Sequence, residues 1–118
     1  MKLRILNNYI RLRLSQSEVE SLEKEKRAWG KTVFTNVNFH YSLEIRETEE
    51  DISADFENNH LKVLVSSNLA SSWIHSEKVS MENKNQQELR ILVEKDFKCL
   101  HKRPGEDETD NFPNPLAE

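Results

Sequence analysis

Glycine, proline and cysteine are nearly missing from this chain. Its 118 residues hold 2 glycines, 3 prolines and 1 cysteine. With Gly30 and Gly105 the only glycines, there is no material for a glycine-rich phosphate cradle or a dinucleotide fingerprint. All three prolines fall in the last fifteen residues, so positions 1–100 are free of the strongest breaker of helices and strands. The lone Cys99 excludes an internal disulfide and fits a reducing compartment. No run of eighteen apolar residues exists, so no membrane span is expected. Charge is interleaved with hydrophobes in Met1-Lys2-Leu3-Arg4-Ile5-Leu6, unlike a secretory leader, and cytoplasmic location is the expectation. A surplus of positive charge is also missing: the formal net charge is −4, which speaks against a nonspecific polyanion binder while leaving room for a local basic patch.

What the chain does have is alternation. Apolar residues make up 36% and charged residues 32%, a globular but polar composition whose length suits a single domain over 1–118. Residues 2–6 and 9–14 alternate strictly, with Leu3, Ile5, Ile10, Leu12 and Leu14 on one face and Lys2, Arg4, Arg11 and Arg13 on the other. Asn7-Asn8 between them suits a two-residue hairpin turn, because asparagine tolerates positive φ. Ser15-Gln16-Ser17-Glu18 is a capping box, and Val19, Leu22 and Lys26 share a helical stripe that closes near Trp29 and Gly30. Strands follow at about 31–37 and 39–46, then the acidic connector Glu47-Thr48-Glu49-Glu50-Asp51.

The pattern then begins again. Ile52, Ala54 and Phe56 alternate, Asn58-Asn59 turns, and Leu61, Val63 and Val65 alternate. Ser66 or Asn68 caps a helix carrying Leu69, Ala70, Trp73 and Ile74, and strands are expected at 77–82 and 88–95. Asn58 stands 51 positions after Asn7, and at that offset Leu12 meets Val63, Leu14 meets Val65 and Ser15 meets Ser66 without a gap. The chain therefore reads as α+β: two tandem ββαββ units at about 1–46 and 52–96, mainly antiparallel sheet with two helices, and an extended segment over 97–118. Two such units bury their apolar faces against each other in a pseudo-two-fold arrangement, and neither half has core enough to fold alone. Phe39, Tyr41, Phe56, Trp29 and Trp73 fall on core-facing positions, whereas His40, His60 and His75 read as surface residues.

Three groups of side chains invite a functional reading. Across a two-residue turn, Arg4 lies opposite Arg11 and Lys2 opposite Arg13, and like charges facing one another in a strand pair are destabilising. Carboxylates such as Glu44, Asp55, Glu57 or Glu94 are the simpler compensation; an anionic ligand is the functional one. Cys99, His101, Asp107 and Asp110 have the residue types of a metal site but not the spacing of one, and a solvated acidic loop is the plainer account. Cys99 with His101 as its base would make a nucleophile only if the two were held in hydrogen-bond reach, and a buried structural thiol is the commoner fate. In the last stretch, Asn111-Phe112-Pro113-Asn114-Pro115, Phe112 is expected to dock on the body, with disorder confined to Leu116-Ala117-Glu118.

The stretch Ile10-Arg11-Leu12-Arg13-Leu14-Ser15-Gln16-Ser17-Glu18-Val19 resembles a family of small uncharacterised bacterial proteins classed as a domain of unknown function. So do Val93-Glu94-Lys95-Asp96-Phe97-Lys98-Cys99-Leu100 and Phe112-Pro113-Asn114-Pro115. The resemblance implies a stand-alone bacterial protein and brings no activity, cofactor or catalytic residue with it. The functional reading is a non-catalytic module that binds a protein partner or a small anion and needs no cofactor. An enzyme or metal protein built on the Cys99 segment comes second. Nucleic-acid binding through Lys2, Arg4, Arg11 and Arg13 comes last. Unpaired edge strands leave room for a homodimer.

Overall fold

The computed structural model describes residues 1–84, 88–97 and 109–113. Their element order is β1 (Lys2–Leu6), β2 (Tyr9–Leu14), α1 (Gln16–Glu25), β3 (Arg27–Val33), β4 (Asn38–Ile45), β5 (Ile52–Glu57), β6 (His60–Val65), α2 (Ser67–Ile74), β7 (Ser80–Glu82) and β8 (Arg90–Lys95). This is an α+β fold of two ββαββ units with two helices and eight strands. Both Asn-Asn turns use the left-handed region, at Asn7 (φ 51°) and at Asn58 and Asn59 (φ 52° and 58°). Each thereby fixes a hairpin register: Leu3 faces Leu12 and Arg4 faces Arg11 in the first, Ala54 faces Val63 and Asp55 faces Lys62 in the second.

The units do not form separate sheets that stack. They interleave. A first sheet runs β1-β2-β8-β7 and a second runs β3-β4-β6-β5, so each takes one hairpin from each half. The joins between halves, β2–β8 and β4–β6, are parallel, and the other four pairings are antiparallel. Leu12 pairs with Val93 in one join and Val63 with Leu43 in the other. Since Leu12 and Val63 are repeat partners, Leu43 and Val93 are equivalent, and so are Tyr41 and Ile91, and Glu44 and Glu94. Antiparallel hairpins can form locally from tight turns, but parallel neighbours need a crossover, which the long excursion between the halves supplies.

The inward faces meet in a shared core. Leu12, Leu14, Leu22, Leu43, Val63, Val65, Ala70, Trp73 and Val93 are fully buried in one cluster that draws on both sheets and both helices. Trp73 spends its polar edge by donating Nε1–H to the Val79 carbonyl at 3.1 Å. Lys95, inward on β8, donates to the Ser76 carbonyl at 2.7 Å and lies 5.5 Å from the Trp73 ring; burial holds its pKa below the ordinary lysine value.

Several expectations need correction. α1 stops at Glu25, not near Trp29: Lys26 takes the left-handed cap (φ 63°), and Ser21 Oγ–H and Lys26 Nζ cover the carbonyls of Arg27 and Glu23. Trp29 therefore belongs to β3 and is 54% exposed on the outward side opposite Ser42, with Arg27 over its ring at 5.7 Å. The following strands run over Arg27–Val33 and Asn38–Ile45, and the short strand is only Ser80–Glu82. Phe56 is 65% exposed and its repeat partner Ile5 57% exposed, because both lie at the turn end of an edge strand, beyond the cluster. Phe56 stacks instead on Phe39 with ring centroids 6.2 Å apart. His60, expected at the surface, is half-buried.

Phe112 docks as its apolar character predicts. Its N–H donates to the Asp96 carbonyl at 2.8 Å, and its ring tilts against Phe97 at 5.8 Å. The expectation of disorder at Leu116-Ala117-Glu118 falls outside the described residues.

Candidate functional site

The outward faces of the two sheets are equivalent surfaces with different chemistry. On the first, the register brings Lys2, Arg4, Arg11 and Arg13 together as expected, Arg4 against Arg11 and Lys2 against Arg13. Parallel pairing then lays Glu94 beside Arg13 and Arg90 beside Tyr9. Glu94 Oε1 accepts from Arg11 and from Arg13, both at 2.6 Å, and Lys2 Nζ meets Asp96 at 2.9 Å. Burial by itself would raise the Glu94 pKa, but hydrogen bonds from Arg13 and Arg11 outweigh it and hold the carboxyl below its ordinary value. Arg90 reaches toward Glu82 (3.6 Å) and stacks over Tyr9 at 4.6 Å. Counting these strands, five cations (Lys2, Arg4, Arg11, Arg13, Arg90) face three carboxylates (Glu82, Glu94, Asp96).

On the second sheet the equivalent carboxylate, Glu44, sits in a hydrogen-bond network that draws on β4 and β6. Ser42 Oγ is 2.8 Å from Glu44 Oε2 and 2.8 Å from His60 Nε2, and Arg46 donates to Glu44 Oε1 at 2.8 Å. Ser42 has one proton and a carboxylate only accepts, so the hydroxyl donates to Glu44 and His60 Nε2–H donates to Ser42. That polarity is opposite to a nucleophilic serine, whose hydroxyl donates to imidazole. Ser42 is also fully buried. The network is a clamp, not a catalytic pair. Burial tends to raise the Glu44 pKa, but Ser42 and Arg46 together bring it below the ordinary carboxylate value; burial, then Lys62, lowers that of His60. A small pocket of about 250 Å3 opens above, between His40, His60, Lys62 and Glu57. A signal for this network exists in β4 and the residue just after it, where His40, Ser42, Glu44 and Arg46 are polar at every second position. The partner His60 follows only once β4 is known to pair with β6.

Of the candidate metal residues, Cys99, His101 and Asp107 lie outside the described residues. Asp110 is engaged at the start of α1, where its carboxylate accepts from the Ser17 N–H at 3.2 Å and from the Ser17 hydroxyl, while Glu18 accepts from the Ser15 N–H at 2.9 Å. The Ser17 hydrogen bonds keep the Asp110 pKa below its ordinary value. Among the described residues, no three His, Cys, Asp or Glu side chains gather as metal ligands. No helix among the described residues is long and apolar enough to cross a membrane.

With the fold and these faces in view, the chain can be placed. A family model described as a family of unknown function matches residues 1–116. The chain belongs to that family, DUF7009. No curated protein and no solved structure matches it.

Proposed function

We propose that the protein is a non-catalytic binding module whose contact surface is the outward face of the first sheet, and that its ligand there is a compact anion such as a phosphate group. One observation carries the reading: Arg4 is held directly across from Arg11 on a face whose described residues include two more cations than carboxylates. Glu94 is already shared by Arg11 and Arg13, so the field around Arg4 is left for an incoming anion, which guanidinium groups bind in bidentate fashion. Nucleic acid fits less well, because Tyr9, the one aromatic ring among the described residues of this face, has Arg90 stacked over it. A cytoplasmic, bacterial setting completes the proposal. It rests on the single cysteine and the family resemblance.

Thermal unfolding with and without inorganic phosphate and a short polyphosphate tests it. Either anion should raise the melting temperature, and Arg4→Ala should remove that rise while leaving the melting temperature without ligand nearly unchanged. A rise of equal size in Arg4→Ala, or no rise in the parent protein, overturns the reading.

A further inference from the structure

One of the inward positions at which the two halves differ lies beside a groove. In the first half that position is Tyr41, whose ring lies against Gly30 on the neighbouring strand; a Cβ on Gly30 would collide with it. The ring fills the space between β4 and the start of β1, and its hydroxyl donates to the Met1 carbonyl at 2.9 Å. In the second half the equivalent residue is Ile91, which has neither the length nor the hydroxyl to reach β5. A cleft of about 660 Å3 is left between β5 and the start of β8. Its floor is apolar, with Ile52, Ala54 and Ile91, and its rim carries Glu49, Glu50 and Glu88. Asn83 holds the far wall by mimicking a backbone partner: its amide donates to the Leu89 carbonyl at 2.8 Å and accepts from the Ile91 N–H at 2.9 Å.

We propose that this cleft is a docking groove for an extended basic segment of a partner protein, with lysine or arginine side chains at the rim and aliphatic side chains on the floor. Charge complementarity selects the partner. Four carboxylates, counting Asp51, face a single lysine, Lys84, around an apolar base. The chain itself shows what the rim accepts, since Lys84 Nζ lies 3.7 Å from Asp51. A small polyamine would meet the carboxylates but has no side chains to place against Ile52, Ala54 and Ile91 in a cleft of about 660 Å3, a volume within the range of about 300–1,000 Å3 common for ligand sites. Peptide recognition of this kind uses alternate side chains of an extended strand, one set for charge and the other for pockets. The site is separate from the basic face and carries the opposite sign.

The test is fluorescence anisotropy with a labelled peptide of alternating lysine and leucine, a glutamate–leucine peptide as control, and spermine as competitor. The lysine peptide should bind, with affinity falling as salt rises. Glu49→Lys/Glu50→Lys, both exposed, should weaken it by about tenfold or more, a loss of about 1.4 kcal/mol. Ile91→Tyr, which restores the aromatic ring of the other half, should abolish binding. If that variant fails to fold by circular dichroism, the charge-reversal pair decides alone. No binding of the lysine peptide, equal binding by the charge-reversed protein, or full displacement by spermine at comparable concentration each overturns the proposal.

Discussion

Glu94 in the first sheet and Glu44 in the second stand at equivalent positions, yet they are stabilised in different ways. Glu94 is neutralised by two guanidinium groups from the adjacent strand of the other half. Glu44 is held mostly by its own strand, through Ser42 and Arg46, with His60 reaching in from β6. The same backbone therefore sets two arginines on a shared carboxylate on one side and, on the other, a Ser42–Glu44–Arg46–His60 network with Arg27, Lys31 and Lys62 beside it. A repeated fold fixes where a side chain points, while the cross-strand neighbours decide what chemistry it does.

The largest effect that would break this comparison comes from separating the halves. Fragments 1–50 and 51–118 should each be unfolded by circular dichroism, and mixing them should restore the spectrum, since each sheet needs a hairpin from both. A fragment that folds alone would show that interleaving is not required.

A smaller effect distinguishes the two carboxylates. Glu94→Gln leaves Arg11 and Arg13 facing Arg4 and Lys2 without their counter-charge and should cost about 2 kcal/mol in urea unfolding. Glu44→Gln keeps an acceptor for Ser42 and should cost about 1 kcal/mol. Equal costs would mean that like-charge opposition in the first hairpin is unimportant.

Acidification should separate His60 from the carboxylates. All three groups have folded-state pKa values below their ordinary ones, so the native state binds fewer protons than the unfolded state and stability falls as pH falls. The His60 contribution should be lost first, below its ordinary value of 6.5, and those of Glu44 and Glu94 below 4.5. His60→Gln should erase the first stage in a pH series of unfolding curves and leave the second in place. A first stage that survives the substitution would assign it elsewhere.

The smallest effect concerns the helix caps. Ser66 alone caps α2, accepting from the Leu69 N–H at 3.4 Å, so Ser66→Ala should cost about 1 kcal/mol. At α1, Glu18 and Asp110 share the work, and Ser15→Ala should cost less, about 0.5 kcal/mol. Equal costs by thermal unfolding would deny Asp110 its role as a cap.

The local part of this fold was legible in the amino-acid sequence. The Asn-Asn turns, the facing of Arg4 on Arg11, the Ser15 and Ser66 caps and the burial of Leu12 and Val63 all follow from periods of two and 3.6 and from turn chemistry. Which hairpin joins which sheet was not, because the parallel pairings link residues far apart and leave no local mark. Everything that depends on those pairings was hidden with them: Glu94 as the partner of two arginines was one choice among four, the alternating polar row of β4 did not say that His60 would meet it, and the Ile91 cleft had no single-strand signal. Trp29 was misplaced for a different reason. A helical stripe extended past a lysine in the left-handed region looks unbroken until the cap is known.

The interleaved pairing also bears on the order of assembly. Leu43 and Val63 meet across 20 positions of chain, whereas Leu12 and Val93 meet across 81. Long-range closures are slow because chain entropy is lost before contacts form. The hairpin made first during synthesis must therefore wait longest for its neighbour, with its polypeptide edge open until nearly the last strand arrives. Pulse-labelled hydrogen exchange should find amides of β6 protected before those of β8; protection in the reverse order would contradict it.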